Sequence, residues 1–470
     1  MDVASTTRKT PTFWASVREA IHGSQQDFTA GSLERAIFLL AIPMVLEMLL
    51  ESLFAVVDVF WVARLGADAV ATIGLSESLM TIIYAVCMGL GMSTTAMVAR
   101  RVGEEDSNGA AIATVQAVGL AFILCLSFGV PGWIFGRSFL RLMGASPGVL
   151  AVGSRYTKIV LGASGAPLLL FLNNAVFRGA GDAAIAMRVL WLSNFINLIL
   201  DPCLIFGLGP FPRLGLTGAA LATTTGRSIG VLYQFGLLWR GTDRIRILRS
   251  QIRVQPRVML RLLHVSLTGI GQFLIAQTSW VGLVRIISIF GSAAVASYTI
   301  AIRIIIFVIL PSWGLSGAAA TLVGQNLGAQ QPERAEKSVW RTGFYNMLFL
   351  GGLGIFLLIF AGPVVQLFTR DPAVVPLAVN CLRILSCGNV AYAYGMVMVQ
   401  AFNGAGDTVT PTLVNFLCYW LWEIPLGYWL AIRTSLQARG VFFSILIAEA
   451  ALAALSIFLF RRGRWKSQQI

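Results

Sequence analysis

Residues 177–182 read Phe-Arg-Gly-Ala-Gly-Asp, and residues 402–407 read Phe-Asn-Gly-Ala-Gly-Asp. The two stretches lie 225 positions apart, and the same offset recovers landmarks along almost the whole chain. Gly66, Ala69, Val70 and Ala71 recur as Gly291, Ala294, Val295 and Ala296. Val98 and Gly103 recur as Val323 and Gly328, Pro147 and Val149 as Pro372 and Val374, and Gly215 as Gly440. One Gly-Ala-Gly-Asp match is weak evidence of duplication, but several landmarks in constant register make the chain a tandem repeat. The Gly-Ala-Gly-Asp runs themselves read as tight turns between helices, where Gly supplies a positive φ.

What is repeated follows from composition. Of 470 residues, 57% are hydrophobic and 12% charged, about half the charged fraction of a soluble protein. Apolar runs of about twenty residues, the length a bilayer core requires, recur throughout. Alternating segments of about ten residues are missing, so helices rather than a barrel satisfy the backbone in lipid. Spans are expected near 36–62, 70–98, 111–135, 150–176, 186–208, 216–239, 262–289, 294–323, 340–361, 375–401, 410–432 and 440–460. The expected fold is an all-α polytopic membrane protein of about twelve transmembrane helices, in two six-helix lobes. Six is even, so both halves enter the membrane in the same sense and are related by an axis along its normal. The expected units are an N-terminal segment (1–35), an N-lobe (36–240), a basic linker (241–258), a C-lobe (259–462) and a tail (463–470).

The net charge of +14 does not indicate nucleic acid, because of where it lies. The loop after the sixth span carries Arg240, Arg244, Arg246, Arg249, Arg253, Arg257 and Arg261, and the tail carries Arg461, Arg462, Arg464 and Lys466. This is a positive-inside pattern and puts both termini in the cytoplasm of a plasma (inner) membrane protein. The N-terminal segment lacks the short apolar core and small-residue site of a cleaved signal. All six cysteines fall within expected spans without a CxxC pair, so neither disulfides nor zinc are expected. Nothing resembles a nucleophile–base pair or a phosphate loop, so neither an enzyme nor a cofactor is expected, and the chain reads as a monomer in the lipid bilayer.

Residues that serve packing alone should be similar in both halves, so polarity differences at equivalent depth mark function. Glu47, Glu51, Asp58, Glu77 and Asp201 lie in first-half spans, opposite Gln272, Ala276, Leu283, Ile302 and Leu426. Asn174 and Asn197 stand opposite Val399 and Trp422. An ionised residue at mid-membrane costs about 2.5–3.5 kcal/mol on insertion scales, so intramembrane acids face an interior. At 100° per residue, Glu47, Glu51 and Asp58 fall within about 40° of one another on the first span. Asn197 and Asp201 share a face of the fifth span, with Pro202 following to loosen its carbonyls. Carboxylates, amides and loosened carbonyls lining a cavity can hold a proton or a small hard cation. Each acid also has a plainer reading: Glu47 hydrated at the cytoplasmic mouth, Glu77 paired with Arg303, and Glu423 satisfying backbone freed by Pro425.

Several runs give the chain a specific resemblance. Val57-Asp58 with Arg64 to Ala67, Val323-Gly324-Gln325-Asn326-Leu327-Gly328-Ala329, both Gly-Ala-Gly-Asp turns, and Asn197 with Asp201-Pro202 resemble the multidrug and toxic compound extrusion family. The resemblance covers the chain past residue 35. It implies export of amphipathic, often cationic organic compounds, driven by inward flow of H⁺ or Na⁺. Its DinF-like branch couples through the N-terminal lobe, which makes Asp58 and Asp201 the expected coupling-ion core, with Asn174 and Asn197 as neutral ligands. Phe54 departs from some relatives, which carry tyrosine there. The NorM-like branch uses an acidic pair on the seventh and tenth spans, and neither expected span holds an Asp or Glu here. Glu47, Glu51 and Glu77 remain candidate cavity acids, and Glu423 a candidate polar site in the C-lobe. A lipid-linked oligosaccharide flippase of the wider superfamily is the alternative, although it would call for a cationic cavity. On this reading the N-lobe carries the coupling chemistry and the C-lobe serves mainly as its moving partner.

Overall fold

The computed structural model describes residues 13–24, 26–242 and 244–468. The first twelve residues of the N-terminal segment and the last two of the tail lie outside the described residues. After an amphipathic helix at Phe13–His22, twelve helical segments follow. They are α1 (Leu33–Ala63), α2 (Ala67–Gly103), α3 (Ser107–Leu142), α4 (Pro147–Gly162 and Gly165–Ala180), α5 (Ala183–Phe206) and α6 (Leu216–Arg240). The second half continues with α7 (Pro256–Phe290), α8 (Ser292–Gly328), α9 (Pro332–Gln366), α10 (Val375–Cys387 and Asn389–Ala405), α11 (Val409–Asn415, Phe416–Glu423 and Ile424–Arg433) and α12 (Ala438–Arg461). Nine described helices are long and apolar enough to cross a membrane, and bent α10 makes ten. α6 and α11 complete the two sets of six.

Local chemistry sets the boundaries. Ser32 caps α1 through the Arg35 N–H, Asp106 caps α3 through the Gly109 N–H at 2.8 Å, and Ser146 caps α4 ahead of Pro147. Each satisfies a donor that the first helical turn cannot. α4 breaks at Ala163–Ser164 and α10 at Gly388, with a 54° bend, and Ala163 and Gly388 are repeat-related positions. One departure from the repeat stands out. α11 consists of Val409–Asn415, a π-helical stretch at Phe416–Glu423 and Ile424–Arg433, whereas α5 runs unbroken. Pro425 has no N–H and its ring displaces the carbonyl four residues back, which favours the wider turn before it.

The halves cross over at their interface, and glycines permit it. An added Cβ on Gly89 would lie 2.6 Å from the Ile270 nitrogen, and one on its repeat mate Gly314 would lie 2.5 Å from the Met44 carbonyl oxygen. Thus α2 packs on α7 and α8 packs on α1. At the end bearing the linker, a Cβ on Gly103 would overlap the Gln325 carbonyl oxygen at 1.9 Å, and one on Gly328 would meet that of Arg100 at 2.2 Å. Thr321 donates to the Arg178 carbonyl and Gln325 to that of Gly179, each at 3.0 Å. Arg334 reaches the carbonyls of Ala30 and Gly31 at 3.0 Å, and Arg244 those of Ala180 at 3.0 Å and Gln26 at 2.5 Å. The N-terminal segment therefore bridges both halves at this end, where the lobes are shut against each other.

The Gly-Ala-Gly-Asp runs have two distinct roles. Gly181 (φ 90°) and Gly406 (φ 84°) are left-handed helix C-caps, which L side chains adopt at a cost. Gly179 and Gly404 let α4 and α10 approach α2 and α8: a Cβ on Gly404 would lie 2.3 Å from the Ala320 carbonyl oxygen. Gly404→Ala is expected to lower stability by about 1–3 kcal/mol through overpacking. Gly352→Ala, where nothing lies within 4 Å, should be neutral or slightly stabilising. Thermal unfolding of the purified protein in detergent compares the two.

Candidate functional site

The stripe of acids on α1 faces α4, α5 and α6, and it meets a different partner at each level. Glu47 is fully buried; its Oε1 accepts from Asn174 Nδ2 at 3.1 Å and from Arg178 Nη1 at 3.2 Å. Asn174 Oδ1 in turn accepts from Gln234 Nε2 at 2.7 Å. One turn along, Glu51 Oε1 accepts from Arg227 Nη2 at 2.9 Å, and its Oε2 from Asn194 Nδ2 at 3.3 Å. The Arg227 guanidinium also lies 5.7 Å from the Phe171 ring centroid, a cation–π arrangement. Both glutamates thus have an arginine.

The third level differs. Asp58 meets Asp201 of α5, carboxyl to carboxyl, within hydrogen-bonding reach. A hydrogen bond between two carboxyl groups needs one proton, since two carboxylates offer no donor. Asn197, with its amide turned to satisfy its neighbours, donates to Asp201 Oδ2 at 2.6 Å and accepts from Thr223 N at 2.9 Å and Thr223 Oγ1 at 2.8 Å. Asp58 Oδ1 and Asp201 Oδ1 are buried and have no hydrogen-bond partner. Arg227 is close enough for its charge to be felt at Asp58, but its hydrogen bond goes to Glu51.

Of the four expected coupling residues, Asp58, Asp201 and Asn197 converge. Asn174 stands apart, joined to Glu47 and Gln234 instead. Glu47 is not the hydrated mouth residue of its plainer reading, because Arg178 and Asn174 enclose it. Glu77 lies within electrostatic reach of both Asp58 and Arg303, without a direct ion pair among the described residues. Glu423 leaves Oε2 without a partner, so this oxygen does not cap backbone freed by Pro425.

Sequence reading missed several participants. Arg178 is four residues after Asn174 and Asn194 three before Asn197, so helical spacing alone could have found both. Thr223 lies within an ordinary Thr-Thr-Thr run and Gln234 in an apolar helix, and neither gave a signal.

Two parallel six-helix lobes, with acids held in the interior between helices, are the architecture of a membrane-embedded transporter. The comparisons narrow this further. A profile of the MatE family matches residues 43–203 and 270–429, one match in each half. The chain belongs to the MatE family, whose members are transporters rather than enzymes. It is 26% identical over 436 residues to the "Multidrug resistance protein NorM" of Burkholderia vietnamiensis, covering 90% of this chain and 92% of that one. It is 28% identical over 388 residues to a protein of Shewanella oneidensis described as an "FAD transporter", covering 80% and 83%. Among solved structures, a MATE protein crystallised with the ligand MaL6 superposes with a TM-score of 0.86 at 27% identity, covering 93% and 97%. A superfamily transporter from Pyrococcus furiosus gives 0.86 at 25% identity, covering 98% and 100%.

Proposed function

We propose that this protein is a proton-coupled multidrug exporter that moves amphipathic, cationic organic compounds out of the cell by alternating access of its two lobes. The observation carrying this reading is the Asp58–Asp201 pair. Glu47 and Glu51 are each neutralised by an arginine, whereas among the described residues Asp58 and Asp201 have no direct ion pair, and their hydrogen-bond partners are each other and Asn197. Two carboxyls held together away from water and without a cation bind a proton, or a positive charge in its place. Competition for that site couples the two fluxes. An arriving proton displaces the organic cation, and a departing proton leaves a carboxylate that the next cation neutralises.

The relatives support an exporter, and the acids favour cationic cargo over the pyrophosphate of a flippase substrate. Arg178 and Arg227, the basic groups at this core, are already engaged by Glu47 and Glu51. The arginine-rich linker supports a cytoplasmic face at the end where the lobes are shut.

Purified protein in vesicles, loaded with a fluorescent cationic dye, tests the reading. A pH gradient is expected to drive uphill dye movement with Na⁺ absent from both sides. Uphill movement on a Na⁺ gradient alone would replace H⁺ by Na⁺ at the same oxygens. No dye movement under either gradient would overturn the exporter reading.

A further inference from the structure

The C-terminal half holds a second pair of acids within its helices, Glu423 buried and Glu449 half-buried, which the coupling site on α1 and α5 leaves unused. Glu423 closes the π-helical stretch of α11; it is 3% exposed, and its Oε2 has no hydrogen-bond partner. Glu449 of α12 lies within electrostatic reach of Glu423 and accepts from the Tyr419 hydroxyl at 3.1 Å. Tyr298 of α8 is 2% exposed, carries a buried hydroxyl without a partner, and lies within reach of Glu423. The remaining titratable groups that face the pair are Tyr392 of α10, hydrogen-bonded with Trp313, and Cys418 of α11. Among the described residues, the groups that bear on either acid are carboxyls, hydroxyls and a thiol, with no lysine or arginine.

The placement repeats the N-lobe arrangement with a slip. At the 225-residue offset, Glu423 falls one position past the counterpart of Asn197, and Glu449 one past the counterpart of Thr223. A slip of one residue is what an i→i+5 turn introduces. The π-helical stretch accounts for the slip at Glu423, whereas α12 is continuous; α11 and α12 each carry an acid where α5 and α6 set an amide against a hydroxyl.

We propose that Glu423 and Glu449 form a second proton-binding site, in which at least one of the two carboxyls carries a proton. Two ionised carboxylates without a basic partner cannot persist together in such surroundings, whereas one proton leaves a single charge that the Tyr419 hydroxyl stabilises. The enclosed pair, crowded by aromatic rings and hydroxyls, suits a proton better than an organic cation. No bond other than O–H forms or breaks: a carboxylate takes a proton from the aqueous side to which the lobe is open and later returns it to the other. Proton binding here does not depend on the proposed export function, but its contribution to transport rests on that reading.

Infrared difference spectroscopy of the purified protein in lipid, titrated across neutral pH, tests the site directly. The parent is expected to show the carbonyl stretch of a protonated carboxyl that E423Q/E449Q lacks, and D58N/D201N is expected to retain that band. The proposal is overturned if E423Q/E449Q retains every protonated-carboxyl band of the parent. Should the double variant fail to fold, Glu423→Gln and Glu449→Gln singly are read in the same way. In dye-loaded vesicles, E423Q/E449Q is expected to accumulate about tenfold less dye per pH unit than the parent, the equivalent of one proton. Transport lost in D58N/D201N but with this band intact would leave both readings standing. A parent that moves no dye but shows the band would remove only the exporter.

Discussion

Asp58→Asn is expected to lower uphill export by about tenfold per pH unit, one proton's share, while leaving the protein folded. One pH unit is worth about 1.4 kcal/mol per proton, so each coupled proton supports about a tenfold accumulation of cargo per pH unit. Asparagine keeps the size of Asp58 and can still hydrogen-bond to Asp201, but it cannot exchange a proton or change charge. The accumulation ratio should therefore lose one proton's share, and the competition between proton and cargo at this site should end. Asp201→Asn should act alike, since the two carboxyls form one site. Dye accumulation in vesicles at a fixed pH gradient measures both. Parent-like accumulation in both variants would remove Asp58 and Asp201 from coupling.

The next largest effect is expected at Arg227. Its side chain is 10% exposed and that of its partner Glu51 is 25% exposed, with 2.9 Å between Nη2 and Oε1. Arg227→Ala leaves Glu51 with only the Asn194 amide. Stranding one member of a buried ion pair costs 3–5 kcal/mol, and the partial exposure of Glu51 puts this case near about 3 kcal/mol. The same change removes the positive charge nearest Asp58. Thermal unfolding should fall sharply for R227A and recover for E51Q/R227Q, where no charge is stranded. An R227A protein as stable as the parent would show that Glu51 finds water instead.

How much of this site was legible follows from what each part depends on. The stripe Glu47, Glu51 and Asp58 could be read from helical periodicity, because it depends on one helix alone. So could the shared face of Asn197 and Asp201. Which acid has a basic partner could not be read that way. Arg178 and Arg227 come from α4 and α6, and Arg227 lies 176 positions from the glutamate it neutralises. Three acids equivalent by spacing thus become two that form ion pairs with arginines and one that meets a second carboxyl. Asn174 illustrates the same limit: its depth suited the coupling core, but packing against α6 gives it to Gln234 and Glu47.

The C-lobe carries the same lesson. Subtracting one half from the other at a fixed offset made Glu423 and Glu449 two isolated acids opposite Leu198 and Thr224. A constant offset cannot register a π turn, which slips the helix by one residue while leaving the sequence alignment intact. The C-lobe was therefore expected to serve mainly as a moving partner, yet it contains a buried Glu423 and a half-buried Glu449 with a tyrosine attached.

The repeat of Phe-x-Gly-Ala-Gly-Asp at 177 and 402, with the apolar runs around it, determined the class, the two halves and their parallel sense. Those properties follow from span length and span number, which the chain carries in one dimension. The tertiary structure alone decided which end of the lobes is shut, which acids are neutralised and which meet another carboxyl. Each of these depends on contacts across helices far apart in sequence, and a free energy of a few kcal/mol turns on a few ångströms of separation.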